Sequence, residues 1–442
     1  MPGNVVATLR ARQLVRAVTS EAITQRVETA TAAYCGVDPT ASSLHVGNMA
    51  TLMALLHFHL GGHQAVALVG SATGTIGDPS GRSTERTVLA RQELTRNVDA
   101  IDAQLRRFFE RGTAYAQRHM EINDAALQPV VVARNADWYE NMGVLDFLGR
   151  VGRHARVGAM MARDSVRSRL QSPQGLSFNE FSYQLLQAYD FWHLHREHAC
   201  SVQIGGSDQW GNITAGADLI RRMDPDASVY GLTVPLLTTT SGEKFGKSAG
   251  NAVWLDETRT SPFAVYQFFV RTADADVERL LKVFTLLPLD RIETVMQEHR
   301  AAPEGFGAQA LLAAEATELI HGAAGLQQAL CATEVLFGGA NLNRFSAAEV
   351  ASAFAGDSRM VTVSRTAAAG KAVDELAVLA GAVRSKSEAA RLVQGGGLYW
   401  NGHVVTDRKW VPDATTGDYV GEGTVGVVRT GKANHRLIQL VD

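Results

Sequence analysis

The chain has 442 residues, 46% hydrophobic and 20% charged, with a formal net charge of −3. That length calls for two or three domains, and the composition excludes wholesale disorder and an overall basic nucleic-acid coat. Three cysteines, Cys35, Cys200 and Cys331, are too few and too scattered for a disulfide framework or a zinc site, and they point to a reducing compartment. No run is long enough to span a membrane. The first 20 residues carry Arg10, Arg12 and Arg16 and no acid, a composition that suits a mitochondrial presequence.

Ala33–Val37 reads as a strand, Asn48–Leu60 as a helix ended by Gly61-Gly62, and Ala65–Gly70 as a second buried strand. This is a strand–helix–strand unit of the doubly wound type, which binds nucleotides at the carboxyl ends of its strands. Gly74–Arg82 follows as a turn-rich loop that brings Asp78 to the same end. Val88–Arg111 has the spacing of an exposed amphipathic helix, and Val130–Val132 is a third strand. Asp137-Trp138-Tyr139 opens a loop before a helix at Val144–Arg150, and Val157–Gln174 reads as loop or partner-facing surface. Phe178–Asp190 is a helix, Ser201–Ile204 a strand, and Gly205–Gln209 leads into a helix through Arg222.

From Ser261-Pro262 helical periodicity dominates to about Phe354. Gly356–Lys371 is rich in Ser, Thr, Ala and Gly and reads as a linker. In the tail, Val373–Ala380 and Ser385–Gln394 look helical, whereas Leu398–Val405, Val425–Arg429 and Arg436–Val441 suit strands. The expected domains are 1–260, 261–355 and 373–442, joined by a linker at 356–372.

Three patterns carry chemistry. In the first, Tyr34-Cys35-Gly36-Val37-Asp38-Pro39-Thr40 leads to Leu44-His45-Val46-Gly47-Asn48-Met49, a strand and turn that deliver a His-x-Gly step to a helix start. Free N–H groups and the dipole favour phosphate there. The second is Thr240-Ser241-Gly242-Glu243-Lys244-Phe245-Gly246-Lys247-Ser248, which puts two lysines three apart between glycines, as a mobile polyphosphate clamp needs. In the third, Tyr183, Gln187 and Asp190 are spaced i, i+4, i+7, a polar stripe on one face of an otherwise apolar helix.

The first two stretches resemble the signature sequences of class I aminoacyl-tRNA synthetases, and the surrounding residues narrow the resemblance to the tyrosyl-tRNA synthetases over nearly the whole chain. Its implied architecture is a Rossmann-like α/β doubly wound parallel sheet, an α-helical domain on the anticodon side, and a small α+β RNA-binding domain similar to a ribosomal small-subunit protein. Leu9–Thr19 looks like the family's first helix. By this resemblance Asp190 and Tyr34 hydrogen-bond the tyrosine hydroxyl, and Tyr183, Gln187 and Asp78 hold its ammonium group, with Gln203 and Gln209 in the same pocket. Thr40 and His45 contact the γ-phosphate, and Lys244 and Lys247 complete the clamp. Gly36, Asp38, Gly47, Thr51, Gly206 and Asp208 belong to the ATP site, with Phe245, Gly246 and Ser248 of the lysine loop. Many relatives carry a second histidine where this chain has Asn48; asparagine still offers a hydrogen bond to a ribose or phosphate oxygen.

In the tail, Arg384, Lys386 and Arg391 suit phosphate contacts with RNA, and the spacing of Arg384 and Arg391 puts them on one helix face. The resemblance implies ATP as substrate with Mg²⁺, no protein-bound metal or organic cofactor, and tRNA(Tyr) as partner. It further implies a homodimer with Phe178 at its interface and no membrane association. Asn48 and Gly81–Arg86 look closer to fungal mitochondrial enzymes, so the mitochondrial matrix is the expected compartment, with the cytoplasm as the alternative. A rival function is that of an RNA-binding group I intron splicing factor derived from such an enzyme.

Overall fold

A computed structural model describes residues 3–82, 84–86, 89–240, 242, 245–248, 251–338, 345–420, 423–431 and 434–442, with 247, 248 and 251 by their backbone alone. Packing divides the chain into two units, one of residues 1–261 and 268–320 and the other of residues 262–267 and 321–442. The helices of the 261–355 region are therefore shared between the two.

The first unit is built on a six-stranded sheet. Its strands are β1 (Ala17–Val18), β2 (Ala32–Val37), β3 (Gln64–Val69), β4 (Val131–Arg134), β5 (Cys200–Gly206) and β6 (Tyr230–Val234). Their order is β1-β6-β5-β2-β3-β4, with β2 to β6 parallel and β1 antiparallel to β6. β2 leads to β3 and β4 on one side and has β5 on the other, so the order reverses between β2 and β5. An open parallel sheet leaves a crevice at that point, outside the carboxyl ends of the strands.

Two helices bracket the crevice. Helix α1 (Val46–Leu60) joins β2 to β3 and is buried on nearly every side, as its almost unbroken apolar sequence requires. Helix α2 (Phe178–His198) is capped by Ser177, whose side chain accepts from Glu180 N–H, and it ends at Ala199 in a left-handed conformation (φ 48°). It runs two turns beyond the expected end at Asp190. The reason is that its last turns, with Phe191 and Leu194 buried, pack on the sheet.

Two segments depart from their sequence reading. The expected helix at Leu9–Thr19 stops early: Val5–Ala11 is helical, Gln13 takes φ 60°, and Ala17–Val18 pairs with β6. In the fold Arg12 is a buried clamp, donating to the carbonyls of Lys282 (3.1 Å), Thr285 (2.8 Å) and Leu287. Burial pulls its pKa down to about 10. Residues 157–174 are not a bare loop, since Val157–Met161 and Asp164–Leu170 are helical. The second of these helices is anchored by Arg169, which meets Glu180 of α2 in a bidentate pair at 2.8 and 2.6 Å, both side chains within 2% of full burial.

The second unit holds a five-stranded sheet of β7 (Met360–Ser364), β8 (Leu398–Trp400), β9 (His403–Val404), β10 (Val425–Thr430) and β11 (Asn434–Val441), in the order β9-β8-β10-β11-β7. Alternation along its strands feeds two cores. Leu398, Trp400, Val428, Ile438 and Leu440 pack with helices Val373–Leu379 and Lys386–Gln394; Val425, Val427 and Leu437 pack with Cys331, Val335, Leu336, Val350 and Phe354. The expected linker at 356–372 contains β7, which pairs in parallel with the last strand. Its Ser and Thr residues disguised a Met-Val-Thr-Val run that the sheet edge takes up. Elsewhere in this unit the helix Gly307–Phe337, which begins in the first unit, breaks at Gly322 (φ 75°, ψ 176°).

Removing one partner of a buried ion pair strands the other charge, at a cost of about 3–5 kcal/mol. Arg169→Met should therefore lower unfolding stability by that order in urea melts, and Arg169→Met/Glu180→Leu should recover most of the loss.

Candidate functional site

The crevice at the β2/β5 reversal is a cavity of about 400 Å³. Strands β2, β3 and β5 and the segments after them supply much of its lining. β2 and the turn after it give Tyr34, Gly36, Asp38 and Thr40, and the start of α1 gives His45, Gly47, Asn48 and Thr51. The loop after β3 gives Gly70, Thr73 and Asp78; α2 gives Tyr183, Gln187 and Asp190; β5 and its turn give Gln203, Gly206, Asp208 and Gln209. The helical spacing of Tyr183, Gln187 and Asp190 thus turns all three into one cavity.

At one part of this wall Asp190 is almost wholly buried, its carboxylate accepting from Asn135 Nδ2 (3.1 Å) and Trp138 Nε1 (2.9 Å). Burial pushes its pKa up to about 7, against the pull of these donors. Tyr34 is equally buried, its ring 5.3 Å from that of Phe191, and its hydroxyl has no hydrogen-bond partner among the described residues. The Gln203 side-chain oxygen is buried and without a partner in the same sense. Orphaned buried polar atoms carry a free-energy penalty, and a ligand bearing donors and acceptors there would relieve it.

A second carboxylate, Asp38, accepts from Tyr183 Oη (2.8 Å) and Thr73 Oγ1 (2.8 Å), and burial raises its pKa to about 6. Thr73 in turn accepts from Asn135, so a continuous hydrogen-bond chain joins Asp38 to Asp190. Gly70 makes room for it: a Cβ there would overlap Asp38 Oδ1 and Thr73 Oγ1. The third acid, Asp78, accepts from Gln209 Nε2 (2.6 Å), Asn212 Nδ2 (3.3 Å) and Ser80 N–H (2.9 Å).

His45 stands at the N-cap of α1, and the Asn48 side chain accepts from its backbone N–H (3.1 Å). A Cβ on Gly47 would come within 2.7 Å of the His45 ring. Arg82 and Arg86 also line the cavity and add positive charge.

Of the lysine loop, Lys244 lies outside the described residues, and only the backbone of Lys247 and Ser248 is described. Lys247–Ser248 pairs antiparallel with Asn251–Ala252. Phe245 is buried among Phe268, Phe269 and Phe284, and Gly246 (φ 90°) lies so close to Gly47 that a Cβ would sit 2.9 Å from its nitrogen. Neither residue lines the cavity; they seat the loop against the start of α1.

Asn135, Trp138, Thr73, Gly70, Arg82 and Arg86 were missed in the sequence. Asn135 and Trp138 follow β4, so the rule that sites gather beyond strand carboxyl ends could have found them. In the second unit Arg384, Lys386 and Arg391 are all exposed. The shared helix face expected for Arg384 and Arg391 is not formed, because Arg384 precedes the N-cap Ser385. Lys386 is paired with Glu375. Among the described residues no group of three or more His, Cys, Asp or Glu could hold a metal ion, and no helix is long and apolar enough to cross a membrane.

A carboxyl group held protonated by burial links stability to pH. An ordinary aspartate ionises near 4 in the unfolded chain, so the folded state holds extra protons between that value and about 7. Stability of the ligand-free protein should therefore fall as pH rises through this window, and Asp190→Asn should flatten the melting-temperature profile across it.

A family model described as tRNA synthetases class I (W and Y) matches residues 25–338. The chain is 45% identical over 410 residues to a mitochondrial tyrosine–tRNA ligase of Drosophila melanogaster, covering 92% of this chain and 87% of that protein. It is 43% identical to a tyrosine–tRNA ligase of Anaeromyxobacter dehalogenans, covering 99% of each. Its structure matches that of a C-terminally truncated mitochondrial tyrosyl-tRNA synthetase of Aspergillus nidulans with a TM-score of 0.71 at 34% identity, over 76% of this chain and 94% of the other.

Proposed function

Since the chain belongs to the class I tRNA synthetases, and within them to the tyrosine–tRNA ligases, we propose that the cavity at the β2/β5 reversal is where it joins tyrosine to ATP. The enzyme activates tyrosine with ATP, then transfers the tyrosyl group to the terminal ribose of its tRNA. One observation carries the assignment of the pocket. Among the described residues the buried Tyr34 hydroxyl has no partner, and it lies beside the buried Asp190 carboxylate, a site for a phenol that donates to the carboxylate and accepts from the hydroxyl.

The remaining roles are those the resemblance implies. The tyrosine ammonium lies among Tyr183, Gln187 and Asp78. The Tyr183 hydroxyl donates to Asp38 and keeps lone pairs for an ammonium N–H. Gln203 and Gln209 orient the carboxylate end, and Gly36, Asp38, Thr51, Gly206 and Asp208 surround the nucleoside. The triphosphate meets the α1 start, where the helix dipole favours anions.

The tyrosine carboxylate attacks the α-phosphorus, forming a C–O–P bond as the bond to the pyrophosphate oxygen breaks. The carboxylate is already ionised, so no side chain has to take a proton; catalysis is positioning and charge stabilisation. Thr40, His45, Lys244 and Lys247 grip the leaving pyrophosphate, with Arg82 and Arg86 adjacent. Such contacts strengthen as the pentacovalent phosphorus develops, so they raise kcat rather than ground-state affinity. Mg²⁺ enters as the metal–ATP substrate on phosphate oxygens.

We assign the tRNA contact to the second unit, through Arg384, Lys386 and Arg391. The homodimer rests on the resemblance, and the exposure of Phe178 at 79% is compatible with an interface there. The mitochondrial matrix is supported by the name of the fly relative, and the cytoplasmic alternative by the comparably similar Anaeromyxobacter protein. No relative compared above is named as a splicing factor.

The test is ATP–pyrophosphate exchange with tyrosine, phenylalanine and tryptophan. Wild type should exchange with tyrosine far faster than with the other two, and Asp190→Ala should lose most of that preference. An unpaired buried group costs about 1–3 kcal/mol, so the tyrosine KM of Asp190→Asn should rise about 5- to 150-fold. An Asp190→Ala enzyme that still prefers tyrosine as strongly sinks the pocket assignment. Phe178→Asp should shift the protein from dimer to monomer in sedimentation.

A further inference from the structure

The residues that follow the lysine loop form a short strap against the residues that precede α1. Val46 N–H donates to Val253 O (2.9 Å) and Leu255 N–H to Leu44 O (2.8 Å), so His45 and Trp254 face each other across an antiparallel bridge. On the loop side, Val253 N–H donates to Gly246 O (2.9 Å). Strap, loop and helix start therefore share one continuous set of backbone bonds. The rings of His45 and Trp254 have centroids 6.1 Å apart at 57°. The indole is fixed in turn by the Arg259 guanidinium, which lies 3.5 Å from its centroid and also donates to Ser42 Oγ (3.4 Å), while the backbone N–H of Trp254 donates to Thr260 Oγ1 (3.0 Å). Trp254 is half-buried and does not line the cavity, so it packs beside a residue of the site without reaching the substrate.

We propose that Trp254 is a positioning residue for the first chemical step: it holds the His45 imidazole from outside the cavity and carries the seating of the lysine loop to it. The inference rests on the function proposed above, in which His45 meets the leaving phosphates. A loop residue alone could clamp a phosphate, but the histidine would then be set independently of the loop. The strap removes that independence, because any shift of Gly246–Val253 pulls on the strand that carries Trp254. A flat, rigid indole suits this task, having only two side-chain torsions to fix.

A catalytic group displaced by about 1 Å costs on the order of 100-fold in rate. In tyrosine-dependent ATP–pyrophosphate exchange, Trp254→Ala should lower kcat by that order while leaving KM for tyrosine and ATP unchanged, the signature of an interaction made in the transition state. Trp254→Phe should restore most of the rate. His45→Ala combined with Trp254→Ala should be little worse than His45→Ala alone, because the two act as one unit. Unchanged kcat in Trp254→Ala, or effects of the two substitutions that multiply, overturns the inference. If Trp254→Ala does not melt cooperatively, Trp254→Leu carries the same cycle. Wild-type protein without tyrosine-dependent exchange overturns the function itself and this inference with it, whereas normal wild-type exchange with a fully active Trp254→Ala overturns the inference alone.

Discussion

The site depends on one buried carboxylate. Asp190 sits where water cannot solvate its charge, and side-chain hydrogen bonds from Asn135, Trp138 and Tyr139 offset only part of the loss. Its pKa near 7 shows that the balance is incomplete. A phenol hydroxyl brought to Asp190 supplies a further donor, and the unpartnered Tyr34 hydroxyl beside it supplies a matching group for the phenol oxygen. On the assignment proposed above, the same two groups confer selectivity, because a substrate that lacks the hydroxyl leaves both as they were and regains nothing.

Such a site needs a stiff frame, since a soft one would let the carboxylate turn toward water. The frame is the hydrogen-bond chain from Tyr183 through Asp38, Thr73 and Asn135 to Asp190. It ties β2, the loop after β3, the loop after β4 and the helix α2 into one polar layer beyond the sheet. Two close approaches between backbone and neighbour complete the frame. Gly70 lets the Asp38 carboxylate lie against the backbone, and Gly246 lets the lysine loop rest on Gly47. In both places a methyl group would force atoms apart, so the residue type is dictated by space rather than by chemistry.

What could be read in the sequence divides along the same physical line. Elements whose apolar residues repeat at the period of their secondary structure were visible, among them β2, α1, β5 and α2. So was the i, i+4, i+7 stripe of Tyr183, Gln187 and Asp190, because helical geometry alone turns those residues to one side. Groups whose role arises from tertiary juxtaposition were not visible. Asn135 and Trp138 are 55 and 52 positions from Asp190, and nothing local marks them. Arg12 looked like part of a basic leader because its three carbonyl acceptors lie some 270 residues away. The strand Met360–Ser364 was hidden because an edge strand paired on one side tolerates Ser and Thr, and its partner is the end of the chain. The early stop of the first helix follows from Gln13, whose positive φ no propensity scale assigns to glutamine.

The two sequence signatures are distant along the chain, yet the fold makes them one object. The segment Leu44–Val46 leads into the helix start assigned above to the triphosphate, and the segment Val253–Leu255 follows the stretch that holds the lysines; backbone hydrogen bonds pair them directly. Electrostatic stabilisation of a transition state demands that its donors be arranged before charge develops, because reorganising them during the reaction consumes the advantage. The antiparallel pairing meets that demand in the backbone: the segment leaving the loop is held in register with the residues that lead into α1, so both stretches share one reference.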